Sequence, residues 1–178
     1  MINQLLIGIQ VVLIICLLVT VMLRIFRKTN GKAIDILSYT LKQVNKYPDL
    51  KIYVGGDSKL KGDGNIVYYT VVAYRYGTRG VHYVYHKDTV AHKMTKWNRL
   101  MGEVERIMTF ATWFCENSPI RLHAIDFDLN QDTRYYSNKL VNLATGWGSS
   151  LGIPVHTKPD EVVASKAADY LTNKGAYG

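Results

Sequence analysis

Residues 51–86 of the chain read KIYVGGDSKLKGDGNIVYYTVVAYRYGTRGVHYVYH, and this stretch decides the fold. It predicts strands at residues 51–57, 66–76 and 81–86, because each run is rich in β-branched and aromatic residues. Polar turns that contain glycine separate the runs. Strands joined by such short connections pair antiparallel, so the sequence predicts a sheet that begins with a three-strand meander.

Helical periodicity appears on both sides of the meander. Before it, apolar residues near helical spacing predict a helix over residues 34–45, which ends at Tyr47-Pro48. After it, the apolar positions from Trp97 to Phe114 predict a long amphipathic helix. The rest of the chain predicts a strand, a helix, a strand and a helix, at residues 120–127, 132–145, 151–156 and 160–170.

This order of elements favours one fold class. A meander followed by β-α units gives a mixed five-stranded sheet, because each later crossover returns a strand parallel to the first. That is the order of a ribonuclease-H-like α/β sheet with flanking helices. A Rossmann or flavodoxin pattern would instead begin with alternating strands and helices.

The N-terminus differs in composition from the rest of the chain. Residues 1–23 carry no charge, and the apolar run from Leu5 to Leu23 would span roughly 28 Å as a helix, close to the thickness of a bilayer core. We therefore expect a transmembrane anchor over residues 1–27 that contacts the membrane through residues 4–26. A linker at 28–34 and a domain at 35–178 would follow. A cleaved signal peptide and a packing or oligomerisation helix are the alternatives.

Charge and cysteine content indicate the compartment and the partners. Arg24, Arg27 and Lys28 follow the apolar run and no basic residue precedes it, so the positive-inside rule puts the C-terminal domain in the cytoplasm. Cys16 lies inside the apolar run and Cys115 is alone in the domain, which fits a reducing compartment. The net charge of +8 and the pI of about 9.4 favour nucleic acid (RNA, DNA or hybrid) or an anionic membrane surface as a partner.

Two aspartates are predicted to meet at one edge of the sheet. In the expected topology the first and fourth strands are parallel neighbours, and Asp57 and Asp126 end them. Open α/β sheets place their sites at the carboxyl ends of such strands. Paired carboxylates repel unless a cation neutralises them, and a pair of Mg²⁺ or Mn²⁺ ions held in this way can drive phosphodiester hydrolysis.

Further acids would complete the set. Glu103 and Glu105 lie on different faces of the long helix, and the apolar stripe favours Glu103. Asp160 at the start of the last helix would lie near the strand ends, whereas Asp169 lies roughly 13 Å further along that helix, so Asp160 is preferred. Asp128, on the same strand face as Asp126, stays open as a replacement. Each acid alone is also compatible with a structural role such as a helix cap.

The sequence resembles the YkuK-type family of small ribonuclease-H-like proteins from bacteria and phages. The similarity covers residues 35 to 173 and rests on VGGDSK (54–59), RLMGEVERIM (99–108), HAIDFDLN (123–130), Ser137 and GWGSSLGIPVHTKPDEVVASKAADY (146–170). The resemblance implies a ribonuclease-H-like fold and a nuclease. Carried over residue by residue, it supports Asp57, Glu103, Asp126 and Asp160 as the acidic set.

These observations lead to two hypotheses of different classes. The first is a nuclease that depends on divalent metal ions, bound by the four acids, and is tethered to the membrane. The alternative is a non-catalytic ribonuclease-H-like scaffold or binding module at the membrane, for example a phage component. The tyrosines of the second and third strands offer either stacking faces for bases or ordinary sheet packing.

Overall fold

The computed structural model describes residues 23–91, 94–160 and 163–174. Its elements in chain order are β1 (Ile25–Lys28), β2 (Ala33–Asp35), α1 (Ile36–Lys46), β3 (Lys51–Leu60), β4 (Ile66–Arg75), β5 (Val81–Val90), α2 (Lys96–Asn117), β6 (Ala124–Asn130), α3 (Val141–Ser150), β7 (Val155–Lys158) and α4 (Val163–Lys174). A 3₁₀ helix, Tyr136–Leu140, precedes α3.

The strands form one mixed sheet in the order β2-β1-β5-β4-β3-β6-β7. The meander β3-β4-β5 is antiparallel, and β3 pairs with β6 and β6 with β7 in parallel. The predicted α/β class and the mixed sheet are confirmed, and the first and fourth predicted strands are parallel neighbours. The sheet has seven strands rather than five, because the described N-terminal residues add two.

The two additional strands form a hairpin at the edge of the sheet. β1 and β2 are antiparallel, and β1 also pairs with β5. Gly31 has a φ of 81°, and the turn closes with a hydrogen bond from Lys28 N to Lys32 O of 3.0 Å. Phe26 is buried against Phe110, with ring centroids 4.9 Å apart. The structure thus shows strands at Ile25–Lys28 and Ala33–Asp35, in the part of the chain where the sequence predicted the end of the anchor and the linker, and Phe26 contributes to the core.

Helices pack on both faces of strand β3. Ile52 and Val54 lie in the core beneath α2, whereas Tyr53 lies in the core beneath α4. The two glycines of β3 allow the helices to come close. A Cβ on Gly55 would lie 2.9 Å from Ala164 Cβ, and one on Gly56 would lie 3.0 Å from Ile107 Cγ1. Side chains at these positions would force both layers apart.

Several boundaries differ from the predicted ones. β3 continues three residues past Asp57, and β6 runs to Asn130, so neither Asp57 nor Asp126 ends its strand. The helix expected at 132–145 starts as the 3₁₀ helix and becomes α3, which contains Gly146 and Gly148 instead of ending before them. Gly148 is needed inside α3 because a Cβ there would lie 2.1 Å from Val155 Cγ2.

The predicted membrane anchor falls mainly on residues 1–22, which lie outside the described residues. Of the helices in the described ranges, none combines the length and the apolar character that a membrane crossing requires.

Candidate functional site

Asp57 lies half-buried on the face of β3 that α4 covers. Its Oδ2 accepts a hydrogen bond of 2.6 Å from the hydroxyl of Thr172, which is also 2.8 Å from the backbone oxygen of Asp169. Burial raises the pKa of Asp57, and the negative charges of Asp169 and Asp128 add to that rise, against the hydrogen bonds from Thr172 and the Ser58 backbone. Asp57 therefore shares one electrostatic environment with two other aspartates.

Asp128 is brought beside Asp57 by the parallel register of the two strands. The parallel pairing runs up to Gly55 and Asp126, two residues before Asp57 and Asp128 respectively, and the charge of Asp128 acts on Asp57. The ammonium of Lys158 forms an ion pair with Asp128 Oδ1. This pairing raises the pKa of Lys158, and the charges of Asp169 and Asp57 act in the same direction. One lysine thus stands among three aspartates.

Asp169 joins this group from α4. Its Oδ1 accepts a hydrogen bond of 2.9 Å from Asn173 Nδ2, and Asn173 in turn accepts one of 3.1 Å from Lys59 Nζ. Asp169 is exposed. The last helix therefore contributes an acid to the cluster from the turn that also carries Thr172, nine residues after Asp160.

Glu103 reaches the strand from α2, on the opposite face of the sheet. The hydroxyl of Ser58 donates to Glu103 Oε2 over 2.6 Å, and Arg99 Nη1 donates to that hydroxyl over 2.7 Å. Burial raises the pKa of Glu103 to about 8; the charges of Asp57 and Asp128 also raise it, while Ser58 and Arg99 oppose the rise. Glu103 is therefore mostly protonated at neutral pH, next to the aspartates.

Asp126 is fully buried, and its carboxylate is held by structural partners. Oδ2 accepts 2.7 Å from the backbone N of Ala164 in the first turn of α4, and Oδ1 lies 3.1 Å from His156 Nδ1. Burial raises its pKa, opposed by the backbone hydrogen bonds of Ala164 and Val163 and by His156. This arrangement anchors the start of α4 to β6.

Asp160 lies away from the Asp57 cluster. It is exposed, and Gln131 Nε2 donates to its Oδ2 at 3.4 Å. It lines a separate pocket of about 270 Å³ together with Tyr53, Arg75, His156 and Val163. Of the predicted acids, the structure thus brings together Asp57 and Glu103, and it adds Asp128 and Asp169 to them.

We define the acidic cluster as Asp57, Glu103, Asp128 and Asp169. Its chemistry fits a hard divalent cation, because carboxylate oxygens are the ligands that Mg²⁺ and Mn²⁺ prefer and because the neighbouring carboxylates add to the rise that burial causes in the pKa of Asp57 and of Glu103. Within the described ranges, no group of three or more His, Cys, Asp or Glu side chains is arranged so that it could hold a metal ion. The ammonium of Lys158 supplies a positive charge to the cluster through its ion pair with Asp128.

Asp126 and Asp160 were preferred because Asp126 was expected to end its strand and Asp160 was expected to lie near the strand ends. If both strands ended at their aspartates, Asp57 would pair with Asp126. In the structure β3 continues to Leu60, and Asp126 pairs with Gly55 instead. A signal for Asp169 was present in the sequence. Ala164, Ala168 and Leu171 form the apolar stripe of α4, and Asp169 and Thr172 flank it. No sequence pattern indicated the pairing of Lys158 with Asp128.

Comparison with known proteins gives one match. A family model described as "Ribonuclease H-like" covers residues 33–173, which agrees with the resemblance seen in the sequence. The matched segment contains every acid of the cluster and begins at β2. No curated protein and no solved structure matches the chain.

Proposed function

The chain belongs to the ribonuclease H-like family over residues 33–173, and from this premise we propose that it is a divalent-metal-dependent nuclease that hydrolyses phosphodiester bonds. The observation that carries the proposal is the acidic cluster. Three aspartates from β3, β6 and α4 share one electrostatic environment, and a buried glutamate from α2 adjoins them. Structural needs alone do not explain so many acids near one another, because carboxylates in close proximity repel one another.

In this proposal Asp57, Asp128 and Asp169 would hold the cation, with Glu103 beside them. A bound Mg²⁺ or Mn²⁺ would supply an activated water and charge stabilisation for the leaving oxygen. Thr172 orients Asp57 through its hydroxyl, and Arg99 and Ser58 fix the carboxyl of Glu103. Glu103 can hold a proton near neutral pH, which suits it to proton transfer at the reacting phosphate.

Positive charge supports nucleic acid as the substrate. The net charge of +8 would attract a polyanion, and Lys59 and Lys158 stand at the acidic cluster itself. A phosphate that approached the aspartates would therefore meet ammonium groups as well as carboxylates. This combination offsets the repulsion that a bare acidic site would exert on a nucleic acid.

We also propose that the protein is tethered to a membrane with its C-terminal domain in the cytoplasm. The support is the uncharged run of residues 5–23 and the basic residues that follow it. The test is membrane fractionation of the full-length chain and of a chain that begins at Leu23. We expect only the full-length chain to stay in the membrane pellet after a high-salt and an alkaline wash. Release of the full-length chain by salt would contradict the tether.

The nuclease proposal is tested by cleavage of labelled RNA, DNA, RNA–DNA hybrid and four-way junction. Each substrate is incubated with the full-length chain in mild detergent, with Mn²⁺, with Mg²⁺ or with EDTA, beside an Asp57→Asn variant. We expect cutting of at least one substrate that needs the metal ion and is lost in the variant. If a folded protein cuts none of them, and calorimetry detects no binding of Mn²⁺, the proposal is wrong.

One observation favours a second candidate, a non-catalytic binding module. Lys158 already neutralises Asp128, as a lysine does in a site that has no need of a metal ion. In that case the acidic cluster would be a structural ion network, and the domain would bind nucleic acid or protein without cutting it. The Mn²⁺ titration separates the two candidates, because only the nuclease requires the cation to bind at the aspartates.

A further inference from the structure

An exposed aromatic patch with two lysines lies where α2 begins, and we define it as Lys96, Trp97, Tyr136 and Lys139. The rings of Trp97 and Tyr136 meet edge to face, with centroids 6.3 Å apart and an interplanar angle of 84°. The Lys96 and Lys139 ammonium groups lie 5.3 and 5.1 Å from the centroid of the Tyr136 ring. Tyr136 is 40% exposed, so its ring meets solvent as well as these neighbours.

The patch adjoins the acidic cluster along two elements. On α2, Arg99 follows Trp97 by two residues and donates to the backbone oxygen of Ser58, the neighbour of Asp57, over 2.6 Å. The 3₁₀ helix that carries Tyr136 is fixed to the end of β6, where Asn138 Nδ2 donates 2.7 Å to the backbone oxygen of Gln131. Gln131 follows Asp128 by three residues. The patch is thus connected to the acidic cluster through α2 on one side and through the end of β6 on the other.

The composition of the patch differs from that of the tyrosines on the meander. Tyr68, Tyr69 and Tyr74 are buried, so they serve sheet packing and cannot stack on a base. The patch instead presents aromatic surface together with positive charge. Rings provide stacking for unpaired bases of any sequence, and lysines attract the phosphates that link them. Neither feature is required to hold the short 3₁₀ helix, which Ser137 and Asn138 already attach to β6.

We propose that the aromatic patch binds unpaired bases of a single-stranded nucleic acid and leads that strand to the acidic cluster. The proposal rests on the proposed function for the fate of the strand, and it adds the substrate class: a nucleic acid with a single-stranded segment next to the cleaved bond. The bases stack on Tyr136 and on the exposed part of Trp97, and the two lysines contact the adjoining phosphates.

The test is binding in EDTA, where no cleavage is expected. Fluorescence anisotropy compares an oligothymidylate of about 12 nucleotides, within the site sizes of single-strand binders, with an abasic oligomer of equal length and charge. The full-length chain should bind the base-bearing strand at least about fivefold more tightly, because each stacked base contributes to affinity. Equal binding of the two oligomers overturns the proposal, and this comparison needs no variant.

Variants then locate the stacking surface. Tyr136→Leu and Trp97→Leu should each reduce the preference for bases about fivefold while binding of the abasic strand stays the same. Tyr136→Phe should retain the preference because the ring remains. Tyr170→Leu, which removes an exposed tyrosine from α4, is the matched control and should also retain it. If the Leu variants keep the full preference with unchanged thermal unfolding, the patch is not the binding surface.

This binding test is independent of the cleavage test. A preference for bases that depends on Tyr136, in a protein that cuts nothing, would support the patch and refute the nuclease. Metal-dependent cutting without any preference for bases would support the nuclease and refute the patch.

Discussion

Glu103 is the acid whose protonation differs most from that of a free side chain. Its pKa is raised to about 8 by burial, so the folded protein binds this proton more tightly than the unfolded chain does. The direction in which stability changes with pH follows from this difference in proton binding between the folded and the unfolded chain. The contribution of Glu103 to stability is complete below the ordinary value of 4.5 and is lost progressively as the pH rises to about 8.

We therefore predict that Glu103→Gln removes part of the pH dependence of stability. Glutamine is neutral and can still accept the hydrogen bond from Ser58. The free energy of unfolding is measured in urea, without divalent ions, at pH 5 and at pH 8. Between these two pH values the wild type should lose at least about 1 kcal/mol more of it than the variant, since one pKa unit corresponds to about 1.4 kcal/mol. Glu105→Gln, at an exposed position of the same helix, is the control. Equal pH dependence of wild type and Glu103→Gln would refute the prediction.

The sequence predicted only some members of the acidic cluster, and the reason differs from residue to residue. Asp57 could be chosen because it follows the apolar run of the first predicted strand, and Glu103 because the apolar stripe of α2 favours it. Asp126 and Asp128 share a strand face, so the choice between them depends on a register that no local pattern reveals. The contact of Asp126 with the first turn of α4 is a tertiary contact, and it shows in the structure alone.

Helix α4 depends on Asp126 for its attachment to the sheet. The carboxylate accepts from the backbone N of Ala164, and the backbone oxygen of Asp126 accepts 2.8 Å from the hydroxyl of Ser165. We predict that Asp126→Ala lowers the free energy of unfolding by about 1–3 kcal/mol, because it leaves the buried Ala164 N–H without a partner. Urea unfolding measures this change. A change below about 0.5 kcal/mol combined with loss of cleavage would mean that Asp126 acts in the chemistry instead.

The hairpin β1–β2 is the element that the sequence analysis missed. The Asn30-Gly31 pair is a turn signal, but Ile25 and Phe26 lie just after the apolar run of residues 5–23, which favoured an anchor and a linker. In contrast, the meander and α2 were predicted correctly, because each has a long and consistent period. Short elements next to a strongly apolar segment are decided by tertiary pairing, here with β5.

A pair of substitutions tests whether the hairpin belongs to the folded domain. Phe26 is buried against Phe110, whereas its neighbour Ile25 is 47% exposed. We predict that Phe26→Ala lowers the free energy of unfolding by about 3 kcal/mol, as expected for a phenylalanine removed from a core. Ile25→Ala should change it by less than about 0.5 kcal/mol. Chemical denaturation of both variants checks this, and similar small effects of the two would argue that β1 is not part of the core.

At the scale of the whole molecule, the fold class was predictable and the site was only partly so. The order of strands and helices is written in hydrophobic periodicity, which is local along the chain. The acidic cluster depends on where four separate elements meet, namely β3, α2, β6 and α4. Its members therefore become clear only when the register of β3 and β6 and the docking of α4 are known.

Asp57, Glu103, Asp128 and Asp169 together form the proposed site of a metal-dependent nuclease. The most direct measurement is the cleavage rate of the best substrate, with saturating Mn²⁺, for the wild type, Asp169→Asn and Asp160→Asn. Both variants replace an exposed aspartate near α4 by its neutral isostere, so they differ only in position.

We predict that Asp169→Asn lowers the rate at least about 100-fold, within the range expected when a group in the reacting site is removed, and that Asp160→Asn stays within about threefold of the wild type. Circular dichroism and thermal unfolding would verify that both variants are folded. A larger loss of rate in Asp160→Asn than in Asp169→Asn would contradict this proposal. Equal rates for the two variants, or no metal-dependent cleavage by the wild type, would contradict it as well.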